Sequence, residues 1–155
     1  MTSISSPGAL ALLRARGADG LSGAAPLDFG PGFVLPASPN THLVAPPGSP
    51  LPAHERHPLL GAGPDQVWDA LLSTVDAMPR TWRLGQWPER RQAQWVARTR
   101  FMNFPDLVSV QVEALPGGSG VVLYSRSLLG WSDLGANRRR ARRWMAALEQ
   151  AVRGG

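Results

Sequence analysis

Proline and glycine are crowded into the first part of this chain, and that crowding limits what the chain can build. Residues 1–63 hold ten Pro and nine Gly, about 30% of the segment. Proline removes a backbone donor and fixes φ, while glycine raises the entropy lost on ordering. No long helix fits in such a segment, and no hydrophobic periodicity is sustained through it. Residues 1–63 therefore read as an extended Pro/Gly-rich arm, partly ordered from about residue 28. Asp28–Leu35 and Pro39–Val44 are its best candidates for order, with Leu43 and Val44 able to add to a sheet edge or cover a groove.

Residues 64–153 read as a compact α+β domain. Pro64 suits a first helical turn, and Asp65 and Asp69 favour the positive end of the helix dipole. Val67, Leu71, Val75 and Met78 then recur at helical spacing, with Trp68 and Leu72 beside them, until Pro79 stops the helix. Four strand-like segments follow: Thr81–Trp87, Gln92–Arg100, Leu107–Leu115 and Val121–Ser127. In the third, Val108, Val110 and Val112 alternate with Ser109, Gln111 and Glu113. The fourth is apolar on both faces at first, which places it centrally or under cover. Pro116–Gly120 reads as a hairpin turn. A last helix over Asn137–Val152 carries Ala141, Trp144 or Met145, Leu148 and Val152 as its apolar stripe, with Asn137 as N-cap. The order predicts a four-stranded antiparallel meander with an N-terminal and a C-terminal helix packed on one face.

Composition excludes several functions. The chain has 155 residues, room for one domain of ordinary size, and no Cys. Disulfides, thiolate catalysis and Cys-ligated zinc are ruled out. No apolar run approaches the ~20 residues needed to cross a bilayer. The stretch Ala9–Leu13 is too short for a secretory h-region. The expectation is a cytoplasmic protein, or one peripheral to a membrane complex. Every basic side chain is Arg, and residues 126–155 carry seven Arg against Asp133 and Glu149, which is the whole net charge of +5.

The polar chemistry is concentrated from Tyr124 to Arg143. Ser125, Arg126 and Ser127 end the fourth strand, and Ser132, Asp133, Asn137 and Arg138 lead into the last helix. A helix start with nearby Arg and hydroxyl groups is a ready anion site. These seven residues are the candidate ligand site. A structural reading stands beside it: Asp133 pairing with Arg126 or Arg138, and Asn137 only capping. Arg139, Arg142 and Arg143 are the candidate basic face for a protein partner; no aromatic stacking pattern accompanies them, which disfavours nucleic acid. All three histidines, His42, His54 and His57, lie in the arm, so Ser125 or Ser127 would need the arm to fold back to gain a catalytic base. His54-Glu55-Arg56-His57 lacks the helical spacing of a zinc pair. No metal, cofactor or catalytic residue is expected.

The run Tyr124-Ser125-Arg126-Ser127, then Gly130-Trp131-Ser132-Asp133-Leu134-Gly135-Ala136-Asn137-Arg138, resembles the signature of the domain of unknown function 1499 family. Phe104-Pro105-Asp106, Met78-Pro79-Arg80-Thr81, Pro39-Asn40 and Leu43-Val44 agree with it. The resemblance covers roughly residues 28–150. It implies no established activity, cofactor or catalytic residue, and it implies an N-terminal membrane or export segment in many members, a pattern this chain departs from. The leading functional expectation is a non-enzymatic accessory subunit that binds a protein partner through the arm and the basic last helix. The alternative is a binder of a small anionic metabolite or lipid headgroup at the Arg126/Asp133/Asn137 junction. A hydrolase-type enzyme ranks third, because no acid–base pair is forced by spacing.

Overall fold

The computed structural model describes residues 8–21 and 23–155. Its elements are α1 (Ala9–Arg14), β1 (Thr41–Ala45), β2 (Glu55–Arg56), α2 (Pro64–Asp76), β3 (Thr81–Trp87), a 3₁₀ turn (Pro88–Arg90), β4 (Gln92–Arg98), β5 (Pro105–Leu115), β6 (Gly118–Ser127) and α3 (Ala136–Arg153). The sheet has six strands in the order β2-β1-β6-β5-β4-β3. β3 to β6 form the expected antiparallel meander. The arm supplies the other two strands, so the four-stranded expectation is corrected. β1 pairs antiparallel with β6, Thr41 facing Arg126 and His42 facing Ser125, and β2 pairs parallel with β1. Leu43 and Val44 are the expected edge candidates; the prolines around this five-residue segment weaken the rest of its strand signal.

Alternation along the strands divides the interior into two layers. On one face Val44, Trp95, Val108, Val110, Val112 and Leu123 pack against Val67, Leu71 and Val75 of α2 and Ala141, Trp144 and Leu148 of α3. Trp95 and Trp144 meet edge to face, with ring centroids 5.7 Å apart. On the other face Leu43, Ala45, Val122 and Tyr124 pack under Phe29 and Leu51, with Leu27, Phe33 and Leu35 beside them. The arm is thus the second cover of its own sheet. β6, apolar on both sides, is central and buried on both faces as its composition implies.

Two local departures from expectation matter for the site. The tight β5–β6 turn is Pro116-Gly117 alone, with Leu115 paired to Gly118. Gly117 has φ +92°, which suits glycine after proline in a type II turn. The last helix begins at Ala136 with Gly135 as its N-cap, so Asn137 does not cap it. Asn137 lies one residue inside the helix with its side chain turned into the protein.

Candidate functional site

The junction between β6 and α3 is a closed polar network. Asn137 and Arg140 sit three apart on one face of α3 and both point at the sheet. The Ser125 hydroxyl, fully buried, donates to Asn137 Oδ1 at 2.6 Å. Arg140 Nη1 donates to the same oxygen at 3.0 Å. The Asn137 amide NH₂ is shared between the Asn40 carbonyl at 2.9 Å, Ser127 Oγ at 2.9 Å and Asp133 Oδ2 at 2.7 Å. Asp133 also accepts the backbone N–H groups of Gly135 at 2.8 Å and Asn137 at 3.1 Å. Burial pushes the Asp133 carboxyl upward, but these donors outweigh it and hold its pKa below the ordinary value. Asp133 therefore does the work assigned to an N-cap, from two residues ahead of the cap position. It does not pair with Arg126 or Arg138, both of which are exposed.

Below this network lies an ion pair. Asp106 of β5, facing Ser127 across the sheet, brings Oδ2 to 2.7 Å from Arg140 Nη1. The approach is off the line of a good hydrogen bond, and neither carboxylate oxygen has an in-line donor among the described residues. Burial therefore dominates, and the Asp106 pKa is raised despite Arg140 and the Ser127 hydroxyl.

An open cleft of about 1060 Å³ runs beside the network, between one face of α3 and the ends of β3 and β4. Its lining includes six arginines, Arg80, Arg98, Arg100, Arg139, Arg140 and Arg143, and no carboxylate. Met78, Ala97, Phe101, Trp144 and Ala147 give it apolar walls. Arg98 is 3% exposed. Its Nε donates to the Gly17 carbonyl and its Nη1 to the carbonyls of Leu12 and Asn103, at 2.8, 2.8 and 3.0 Å. Its buried Nη2 has no partner among the described residues. Burial, with Arg80 adding to it and Asp19 opposing, lowers the Arg98 pKa. Arg143 is lowered too, by burial and then by Arg140 and Arg139. The cleft wall is cationic: Arg80, Arg100, Arg139 and Arg143 are exposed on it, while Arg140 is paired with Asp106 and the Arg98 guanidinium turns away to the arm on the opposite face of β4 from Ala97.

The family model described as protein of unknown function (DUF1499) matches residues 34–148. This chain belongs to that family. No curated protein matches it. Its fold is similar to that of solved structures of two proteins at low identity. One, from Mesorhizobium loti, is 14% identical, with a TM-score of 0.50 over 72% of this chain and 96% of the other. The second, an uncharacterized protein from Rhizobium leguminosarum, is 15% identical, with a TM-score of 0.51 over 74% and 95%.

In this DUF1499 protein the sequence-predicted residues fall into three groups. Ser125, Ser127, Asp133 and Asn137 are brought together, and they saturate one another. Arg126, Ser132 and Arg138 are exposed around them. Of the predicted basic face, Arg139 donates to the Leu134 carbonyl, Arg142 pairs with Glu55 at 2.7 Å, and Arg143 has no hydrogen-bond partner among the described residues. The arm does fold back, and it sets His42 across from Ser125. The His42 ring, however, is 3.0 Å from Glu55 and stacks on His54, while the Ser125 hydroxyl serves Asn137. Among the described residues no hydrogen bond joins serine to histidine. Among the described residues no group of three or more His, Cys, Asp or Glu could hold a metal ion, and no helix is long and apolar enough to cross a membrane. Sequence reasoning missed Arg98, Arg100 and Asp106 as site residues. Arg98 follows Ala97 on the opposite face of β4, where the carbonyls of residues 12 and 17, far off in sequence, bury its guanidinium.

Proposed function

We propose that this protein binds a small anionic amphiphile in the arginine-lined cleft. The exposed arginines of the cleft wall carry the reading: Arg80, Arg100, Arg139 and Arg143 line it, and no carboxylate does. An arginine fork suits a carboxylate or phosphate. The apolar walls from Met78 to Trp144 suit a hydrocarbon body. The volume is just above the ~300–1,000 Å³ range of small-molecule sites, as suits an open cleft. The anion site thus shifts from the Arg126/Asp133/Asn137 junction, where the Asn137 amide and the N–H groups at the start of α3 already donate within the protein, to the cleft beside it. The arm gives a partner reading little support, because Leu27, Phe29, Phe33 and Leu35 are used on the chain's own sheet.

A thermal-shift comparison tests this, with dodecanoate, dodecyl phosphate and dodecanol below their micellar concentrations. The anionic probes should raise Tm and dodecanol should not. Arg143→Ala, at an exposed and unbonded side chain, should weaken the shift. Equal stabilisation by dodecanol, or none by either anion, would refute the reading.

A further inference from the structure

One end of the sheet carries large apolar side chains that no described residue covers. The β4–β5 loop is closed by the pairing of Arg98 with Pro105 and presents Phe101 and Met102, which are 89% and 59% exposed. The β6–α3 loop is tied to the same end, since Leu128 N–H donates to the Pro105 carbonyl and the Asn40 side chain donates to the Gly130 carbonyl. It presents Trp131 and Leu134, 66% and 86% exposed. Phe101 and Ala136 line the same cleft, so the two loops flank its mouth.

The charge around these four residues is mostly positive. Arg100 lies over the Phe101 ring at 5.5 Å. Arg126, Arg138, Arg139 and Arg143 are exposed on the neighbouring strand end and helix turns. Two carboxylates of this end are withdrawn, Asp106 buried against Arg140 and Asp133 bonded to the start of α3, and the exposed Asp19 lies on the Arg98 side of the β4–β5 loop. A folded-protein partner would be expected to meet a contiguous apolar core within a polar rim. Here the apolar side chains stand on separate loops, each among arginines. An interfacial Trp with Phe, Leu and Met, flanked by arginines, matches the headgroup boundary of an anionic bilayer.

We infer that this end of the sheet docks on anionic membrane surfaces, with Trp131, Leu134, Phe101 and Met102 entering the interface and the arginines meeting lipid phosphates. Docking sets the mouth of the cleft against the bilayer. The inference deepens the cleft reading and rests on it for the cargo, an anionic lipid or lipid fragment that enters from the membrane.

The test is co-sedimentation of the full chain with vesicles of phosphatidylcholine, and of phosphatidylcholine mixed with phosphatidylglycerol. The protein should partition onto the anionic vesicles only, and added salt should weaken this. Combining Arg126→Ala with Arg138→Ala should lower partitioning about fivefold per arginine. Combining Trp131→Ser with Leu134→Ser should lower it at least about tenfold. Neither residue lines the cleft, so that variant should keep its fold by circular dichroism and its dodecyl phosphate thermal shift. Absence of binding to anionic vesicles, or binding that the Trp131/Leu134 variant retains, overturns docking and leaves the cleft reading to its own thermal-shift result. A wild-type dimer by light scattering that this variant abolishes assigns the patch to a second copy and overturns docking as well.

Discussion

Asp106 and Arg140 meet at 2.7 Å with side chains only 1% and 6% exposed, and the pair does not hold the carboxyl at its ordinary pKa. Desolvation outweighs the attraction of the nearby Arg140 and Ser127 groups. A pair of this kind fixes a position without adding much net stability.

The consequence is a sharp contrast between single and double replacement. Asp106→Ala leaves a buried guanidinium with only Asn137 Oδ1 and Ser125 Oγ, and should cost about 3–5 kcal/mol. Asp106→Leu combined with Arg140→Met should recover most of that loss or exceed wild type by about 1–4 kcal/mol. Urea denaturation of the four-member cycle measures the coupling; additive losses would mean the pair is solvated in solution.

Asn137 is the joint between the arm and the last helix. Its amide reaches the Asn40 carbonyl just ahead of β1, and its oxygen takes Ser125 and Arg140. Asn137→Ala leaves several buried groups unpaired and should cost about 2–4 kcal/mol. The loss should be local as well as global. Amide exchange should quicken in β1 and β2 more than in β4. Asn40→Ala, which removes only the contacts to Gly130 and Ser38, should cost about 1 kcal/mol.

His42 gives the fold a pH dependence of definite sign. Burial lowers its pKa below 6.5, and His54 and Arg142 act in the same direction, while Glu55 opposes them. The native state therefore binds fewer protons at this site than the unfolded chain. The contribution is present above the free value of 6.5 and is lost as pH falls below it. Chemical denaturation between about pH 7.5 and pH 5 should show falling stability, with a shallower slope in His42→Gln. An unchanged slope would show that another group controls this range. Asp106, whose pKa is raised, works in the opposite sense: its share of stability falls as pH rises above the ordinary 3.8.

The fold is legible wherever the pattern is local. Val108, Val110 and Val112 alternate over one strand, and Val67, Leu71 and Val75 recur over one helix, so short windows reveal them. β1 is visible only as a candidate edge at Leu43 and Val44, because its partner β6 lies some eighty positions on and the prolines around it weaken any strand signal. The site divides in the same way. Ser125, Asp133 and Asn137 are near neighbours and stand out together. Arg98 does not, since its partners are carbonyls 81 and 86 residues distant. A backbone carbonyl leaves no mark in side-chain pattern. The tie between β4 and the arm therefore rests on contacts that periodicity cannot report.

The Pro116-Gly117 turn supports the other face of the arm, and Gly118 decides how closely. Leu60 and Ser119 exchange two backbone hydrogen bonds of 2.9 Å, which pins the segment before α2 to the start of β6. Gly118 has φ +152°, and a Cβ there would lie 2.3 Å from the Leu60 carbonyl oxygen. That oxygen belongs to the backbone and accepts one of the two bonds, so it cannot yield without breaking the bridge. Gly118→Ala should therefore cost more than about 2 kcal/mol, from the strained φ and the lost bridge together. At Gly61, one residue beyond Leu60, an added methyl would meet nothing within 4 Å. Gly61→Ala should change stability by less than about 1 kcal/mol, in the stabilising direction. Urea midpoints of the two variants check the pair. Equal small effects would mean that the Leu60–Ser119 bridge is open in solution, and that the arm is held through β1 alone.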